Sequence, residues 1–137
     1  MNKNKIALCL VTITAMLSGC YTAPTREEAL NANYGPPVSS DEMFAQIKAY
    51  MSKRLIDPGS AIYNCNRPVK GWVLGAGEDT PTYTYYGYMS DCEINAKNRF
   101  GGYTGAQTSR FMIFLKQGGG RGIIKFHNFK DSAVVNN

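Results

Sequence analysis

The chain has 137 residues, of which 44% are hydrophobic, and its formal net charge at pH 7 is +5. This length suffices for one small domain and not for two. The basic residues are spread along the chain, with Lys53 and Arg54 as the one adjacent pair, and this pattern lacks the clustering that a nucleic-acid groove requires.

The N-terminal segment has the layout of a secretory signal peptide. Lys3 and Lys5 form a short positive region, and an apolar run over residues 6–17 follows. The run is too short for a transmembrane helix, which needs about 20 residues, whereas its length suits the apolar region of a signal peptide. We therefore expect residues 1–19 to be removed, which lowers the formal charge from +5 to +3 through the loss of the two lysines.

The residues at the end of this segment, Leu17-Ser18-Gly19-Cys20, resemble the lipobox of bacterial lipoproteins. The resemblance implies cleavage before Cys20, attachment of diacylglycerol to its sulfur, and acylation of the new amino terminus by a fatty acid such as palmitate. Two or more acyl chains anchor a protein stably. The alternative is an ordinary signal peptide followed by an unmodified cysteine.

The residue after the cysteine bears on which membrane holds the protein. In Gram-negative lipoproteins an aspartate there commonly directs retention in the inner membrane, and this chain has Tyr21. The resemblance therefore implies a lipid anchor in the outer membrane, with the protein facing the periplasm or the cell surface. An anchor in the inner or plasma membrane is the alternative.

Residues 20–38 have the composition of a tether. Prolines and a glycine interrupt the stretch, and its apolar periodicity is weak, so we expect a lipidated terminus followed by a flexible spacer. Thr25 and Glu28 have the spacing of a capping box, which predicts the start of a short helix.

The domain is expected over residues 39–137 and opens with an amphipathic helix. Ser39 and Glu42 form a second capping box, and Pro58 closes the element. Apolar residues between them recur at helical spacing, which predicts a helix face packed on a sheet. The stripe consists of Phe44, Ile47, Met51 and Leu55, flanked by Met43 and Tyr50.

The pattern after Pro58 is typical of β-structure. We predict strands within residues 62–65, 71–74, 82–98, 110–116 and 122–129, with a hairpin turn at residues 117–121. In the long strand Cys92, Ile94 and Ala96 share one face. Tyr83 and Tyr85 face opposite Tyr86 and Tyr88, so one pair is expected outside the core. The fold class is α+β, with one helix on a largely antiparallel sheet of about four to five strands.

Cys65 and Cys92 remain once Cys20 and the signal segment are set aside. An exported chain meets an oxidising compartment, where such a pair usually forms a disulfide. Metal binding is the competing reading, but one histidine and two distant cysteines lack the spacing of a zinc site. We expect a disulfide and no metal or cofactor.

Two further segments carry a second resemblance. The turn Asp57-Pro58-Gly59-Ser60-Ala61 and the stretch from Cys92 through Asn95-Ala96-Lys97-Asn98 to Gly101-Gly102-Tyr103-Thr104-Gly105 stand out. They resemble a recurrent small domain of bacterial lipoproteins and secreted proteins, which carries Asp-Pro-x-Ser-Ala and Cys-x-x-Asn-Ala-Lys-Asn-x-x-Gly-Gly-Tyr-x-Gly. The match covers about residues 56–115, and it implies a domain without naming an activity.

The glycine-rich loop, residues 98–105, is the candidate binding surface. Glycine runs cost conformational entropy on ordering, so they indicate a required backbone path or a closely approaching partner. Lys97, Arg99 and Tyr103 offer charged donors and an aromatic ring. We expect a non-catalytic binding or structural module for an envelope protein or a cell-wall glycan. In the alternative, the glycines only turn the chain and Tyr103 packs inward.

An enzyme acting on envelope polymers is the rival function. It would use Asp91 and Glu93, which share one strand face, together with His127, the one histidine of the chain. No nucleophile motif accompanies this histidine, so we do not expect catalysis. Convergence of the three side chains in one concave pocket would favour the enzyme.

Overall fold

The computed structural model describes residues 22–75, 83–126 and 132–136, with the side chain of Tyr83 left out. Cys20, with the signal segment, and His127 therefore lie outside the described residues. Within the described ranges no helix is long and apolar enough to cross a membrane. The elements, in chain order, are α1 (Arg26–Asn31), α2 (Ser40–Met51), a 3-10 turn (Pro58–Ser60), β1 (Ile62–Cys65), β2 (Val69–Gly75), β3 (Tyr83–Asn95), β4 (Gln107–Leu115), β5 (Arg121–Phe126) and β6 (Ser132–Val134).

All strand pairings in the described part of the chain are antiparallel, as predicted. The strand order is β5-β4-β3-β2-β6. On the same side of β3, β2 pairs with its N-terminal part and β1 with its C-terminal part. The described residues form six strands, where about four to five were predicted. The additional strand is β6, whose three residues are too few to give an alternating pattern.

Helix α2 begins where the capping box predicts. The Ser39 hydroxyl oxygen accepts a hydrogen bond from the Glu42 amide at 3.1 Å, which satisfies one of the free N–H groups at the helix start. The helix ends at Met51, and the chain then turns through residues 52–54. The element is therefore shorter than the stripe to Leu55 suggested.

The buried face of α2 is rotated relative to the predicted stripe. Met43, Ile47 and Met51 lie in the core at four-residue spacing. Phe44, which was expected to be part of the stripe, is exposed and packs edge-to-face on Tyr63, with ring centroids 5.6 Å apart. The prediction that Phe44 belongs to the buried face was wrong, because its ring lies at the edge of that face and packs on β1 outside the core.

The segment before α2 differs from the expected spacer. The Thr25 and Glu28 capping box is present and starts α1. The side chains of Tyr34 and Val38 are buried in the same core cluster as α2. The Tyr34 ring packs edge-to-face on Tyr86 of β3, with centroids 5.9 Å apart. These contacts hold the residues after Pro24 against the sheet.

The sheet has a buried cluster on each face. On the face covered by α2 the core includes Tyr88, Cys92 and Phe111. A second cluster on the opposite face consists of Val73, Tyr85, Met89, Met112, Ile124 and Phe126. Tyr85 and Tyr88 are therefore both buried, so the expectation that one tyrosine pair lies outside the core was wrong for these two residues.

Strong curvature of the sheet buries the second cluster. Arg110 of β4 donates a hydrogen bond to the Ser132 hydroxyl of β6 at 2.6 Å, although β3 and β2 lie between these strands in the sheet order. Gly71 and Gly87 pair directly across β2 and β3. A Cβ on Gly87 would lie 2.1 Å from the Ile113 carbonyl oxygen of β4, so the close approach of β3 and β4 at this position requires glycine.

Cys65 and Cys92 form a disulfide, as predicted. The two residues are direct partners in the β1–β3 register, so the bond links neighbouring strands. Cys92 is fully buried among the residues that contact α2. The disulfide therefore fixes the short strand β1 to the central strand of the sheet.

Candidate functional site

The glycine-rich loop connects β3 to β4 and continues their pairing beyond the ends of the strands. Lys97 and Tyr103 form an isolated antiparallel bridge. The Thr104 amide and hydroxyl both donate to the Ala96 carbonyl oxygen, at 3.2 and 3.3 Å. The Gly105 amide donates to the Asn95 side-chain oxygen at 3.1 Å. These bonds extend the hairpin and position its tip at residues 98–102.

Asn98 organises the tip of the loop. Its side-chain oxygen accepts hydrogen bonds from the amides of Phe100 and Gly102, at 2.9 and 3.2 Å. Its main-chain carbonyl accepts from the Gly101 amide at 3.0 Å, and its own amide donates to the Gly102 carbonyl at 2.8 Å. The amides of Asn98, Phe100, Gly101 and Gly102 thus find partners within the loop itself.

The glycines determine the backbone path of the loop. Gly101 and Gly105 have φ angles of +81° and +94°, the left-handed region that L side chains rarely adopt. No atom lies within 4 Å of a Cβ built on either residue, so conformation and not space requires glycine there. The geometry therefore agrees with the alternative interpretation of the loop in one respect, namely that its glycines turn the chain.

The two segments of the sequence resemblance are in direct contact through Ser60. The Lys97 amide donates to the Ser60 hydroxyl oxygen at 3.0 Å, and that hydroxyl donates to the Asp57 carbonyl oxygen at 2.9 Å. The Tyr103 hydroxyl donates to the Ser60 carbonyl oxygen at 3.3 Å. The 3-10 turn therefore supports the loop from one side, and the two segments form one structural unit.

The three predicted binding residues differ in exposure, and Lys97 and Tyr103 are neighbours across the loop. Arg99 is exposed, Lys97 is half-buried, and Tyr103 keeps 48% of its surface in solvent although its hydroxyl bonds inward. The Lys97 ammonium lies 5.5 Å from the centre of the Tyr103 ring. Sequence reasoning overlooked Phe100, which is 82% exposed with the Arg99 guanidinium 4.9 Å from its ring centre. Its apolar ring at a glycine-flanked tip was the available signal.

Asp91 and Glu93, the carboxylates of the rival reading, lie on one face of β3 and line one groove. The groove has a volume of about 290 Å³ and is lined by Asn64, Asn66, Asp91, Glu93 and Thr108. Glu93 is exposed and accepts a hydrogen bond from the Asn64 amide group at 3.3 Å. The structure therefore brings two of the three predicted residues together, and His127 lies outside the described residues.

Asp91 is held by a bidentate ion pair. The Arg110 Nε and Nη2 atoms donate to its two carboxylate oxygens at 2.6 and 2.8 Å. The hydrogen bonds to Asp91 raise the pKa of the Arg110 guanidinium, so this partner stays charged. Both carboxylate oxygens of Asp91 are thus taken up by Arg110, its partner in the β3–β4 register, which gives the carboxylate a structural role in joining these strands. Within the described ranges no group of three or more His, Cys, Asp or Glu side chains could hold a metal ion.

Comparisons with protein-family models, with curated proteins and with solved structures find no match for this chain.

Proposed function

We propose that this chain is a bacterial envelope lipoprotein whose α+β domain is a non-catalytic binding module. The acylated residue is Cys20, and the membrane is the outer membrane, with the inner or plasma membrane as the alternative. The lipobox at residues 17–20 and the signal-like segment before it support the anchor.

The position of the loop relative to the anchor supports a binding role. Pro24, four residues after Cys20, lines a groove together with Trp72, and Trp72 pairs with Tyr86 on β3. From Tyr86 to Asn95 the strand covers roughly 30 Å at about 3.3 Å per residue. The glycine-rich loop begins just beyond Asn95. It therefore lies at the end of β3 away from the chain that leads to the anchor.

The observation that carries the proposal is the exposed tip on a pre-organised loop. The backbone of residues 98–102 is fixed by its own hydrogen bonds, while Arg99 and Phe100 project into solvent. Ordering of the loop has already been achieved in the free protein, so a partner does not have to supply it. Loops held on a rigid scaffold are where binding residues concentrate.

Crosslinking and capture from the native envelope test this role. We expect Arg99→Ala to lower capture of a protein or cell-wall partner several-fold and to leave the melting temperature unchanged, because Arg99 is exposed. Lys116→Ala, at an exposed cation in the β4–β5 turn, is the matched control and should capture as the wild type does. If both variants capture the partner as well as the wild type does, Arg99 and its loop have a structural role and no role in binding.

The enzyme remains the second candidate because Asp91 and Glu93 line the same groove. The variant Glu93→Gln separates the two functions, since it preserves shape and removes the charge. Under the binding proposal it leaves envelope-polymer turnover unchanged. Loss of a measurable hydrolytic activity in this variant would favour the enzyme.

A further inference from the structure

Exposed apolar side chains gather around the glycine-rich loop and the 3-10 turn that supports it. Phe100 is 82% exposed and Tyr103 48%. Ile56 and Ile62, on either side of the turn, are 71% and 58% exposed. The hydrogen bond from Tyr103 to Ser60 joins the two groups. We call the exposed rings of Phe100 and Tyr103 on this loop the loop-end patch.

The shape of the loop-end patch bears on what it contacts. With four fifths of its surface in solvent, the Phe100 ring stands out from the protein and does not line a cavity. A protein partner would have to provide a matching pocket for this ring. A lipid interface closes around a projecting aromatic ring without a preformed pocket, and aromatic rings favour the headgroup level of a membrane.

The charges beside the patch suit an anionic surface. The Arg99 guanidinium lies 4.9 Å from the Phe100 ring centre, and the Lys97 ammonium lies 5.5 Å from the Tyr103 ring centre. Each cation therefore lies beside a ring that we place at the lipid headgroup level. Basic side chains at this level attract anionic lipid headgroups.

Three backbone amides beside the Phe100 ring are paired within the loop. The amides of Phe100, Gly101 and Gly102 all donate to Asn98, so they do not depend on water for partners. Unpaired backbone groups are what normally exclude a loop from a lipid phase. The Asn98 bonds lower that penalty at the residues nearest to the Phe100 ring.

We infer that the loop-end patch docks on an anionic lipid surface. This inference rests on the proposed anchor and on the same exposed loop, and it adds an anionic lipid partner that the proposed function does not name. Pro24, on the way to the proposed anchor, lines a groove with Trp72 near the other end of β3, so the patch faces away from this part of the chain and is placed to meet a second lipid surface. The protein then bridges two lipid surfaces.

Vesicle tethering by the mature, acylated protein tests the inference. The protein is reconstituted into phosphatidylcholine vesicles, and a second population is added that either contains or lacks phosphatidylglycerol. We expect tethering, measured by energy transfer between labelled populations, with the anionic vesicles alone, and we expect salt to weaken it. Equal tethering to both populations, or none to either, would overturn the inference.

Loop variants assign the effect to the patch. We expect Phe100→Ser to lower tethering about ten-fold, from the loss of one buried aromatic side chain. Arg99→Gln should lower it about five-fold, from the loss of one cation at an anionic surface. Lys116→Gln, an exposed cation in the β4–β5 turn, is the charge-matched control and should tether as the wild type does. Wild-type tethering by both loop variants would contradict the assignment, as would capture of a protein or a glycan by the same loop without tethering.

Flotation separates the failure of the anchor from the failure of the inference. A protein that does not float with the first vesicles lacks the proposed lipid anchor. That same protein is then sedimented with phosphatidylglycerol vesicles, where we expect binding that Phe100→Ser reduces. If the protein floats with the first vesicles but does not tether the second, the anchor is present and the inference about the loop-end patch is wrong.

Discussion

Tyr103 donates a hydrogen bond from its hydroxyl to the main-chain carbonyl of Ser60, and this contact spans 43 positions in the sequence. It joins the glycine-rich loop to the 3-10 turn before β1. The Ser60 hydroxyl adds a second contact by accepting from the Lys97 amide. The loop is therefore supported by a distant part of the chain as well as by its own hairpin bonds.

Removing the Ser60 hydroxyl should destabilise this support. In Ser60→Ala the Lys97 amide loses its partner in a part-buried position, and we expect the free energy of unfolding to fall by about 1–2 kcal/mol. Ser40→Ala, at an exposed residue of α2, should stay within about 0.5 kcal/mol of the wild type. Urea unfolding measures both. A Ser60→Ala midpoint equal to that of the control would show that the turn does not support the loop.

Two glycines should respond in opposite ways to alanine. A Cβ on Gly87 would meet the Ile113 carbonyl oxygen at 2.1 Å, so we expect Gly87→Ala to destabilise by about 2 kcal/mol or more. At Gly102 the nearest atoms are 3.9 Å away and φ is not positive, so Gly102→Ala should be neutral or stabilise by up to about 1 kcal/mol. Thermal unfolding compares the two. A stable Gly87→Ala variant would refute the close approach of β3 and β4 at this position.

The disulfide should account for a large share of the stability. Its loop of roughly 28 residues corresponds to about 3–4 kcal/mol in the chain-entropy model, against about 5–15 kcal/mol for a typical domain. We expect reductant to lower the urea midpoint markedly, and Cys65→Ala with Cys92→Ala to do the same without reductant. Thiol labelling confirms that reduction is complete. Complete reduction with an unchanged midpoint would be inconsistent with a stabilising bond.

Alkaline pH should weaken the attachment of Tyr34 to the sheet. Burial raises the pKa of the Tyr34 phenol above its ordinary value of 10.0, and the neighbouring Tyr86 adds to the rise. Because the folded pKa is the higher one, the contribution to stability is complete below about pH 10 and is lost as the pH rises through the folded pKa. We expect the free energy of unfolding to fall above that pH, and to fall less in Tyr34→Phe. Urea unfolding at a series of pH values measures this dependence in both proteins. An equal fall of the free energy of unfolding with pH in the two would argue against a raised Tyr34 pKa.

Local signals predicted the helix start and several strands. Ser39 caps α2 as its spacing with Glu42 indicated, and β1 occupies residues 62–65 as predicted. These features depend on neighbours a few residues apart, which a sequence displays directly. The antiparallel sheet followed from the same kind of signal, namely turns between apolar runs.

Features that depend on distant contacts were not readable in this way. Alternation along β3 assumed one solvent-facing side, but curvature of the sheet buries both Tyr85 and Tyr88. The loop with Lys97 and Arg99 was singled out from its glycines, whereas its contact with Ser60 has no local signature. Phe100 and Tyr103 both stand among the glycines in the sequence, and only the fold shows that Phe100 is the more exposed of the two, with the Tyr103 hydroxyl bonded to Ser60.

The mass of the mature N-terminal peptide tests the lipoprotein account most directly. We predict that it begins at Cys20 and carries diacylglycerol on the sulfur, with a further acyl chain on the amino group. Cys20→Ser should abolish labelling by a radioactive fatty acid, whereas Cys9→Ser, in the segment expected to be removed, should leave labelling unchanged. A mature chain with an unmodified Cys20, or continued labelling of the Cys20→Ser variant, would contradict the account.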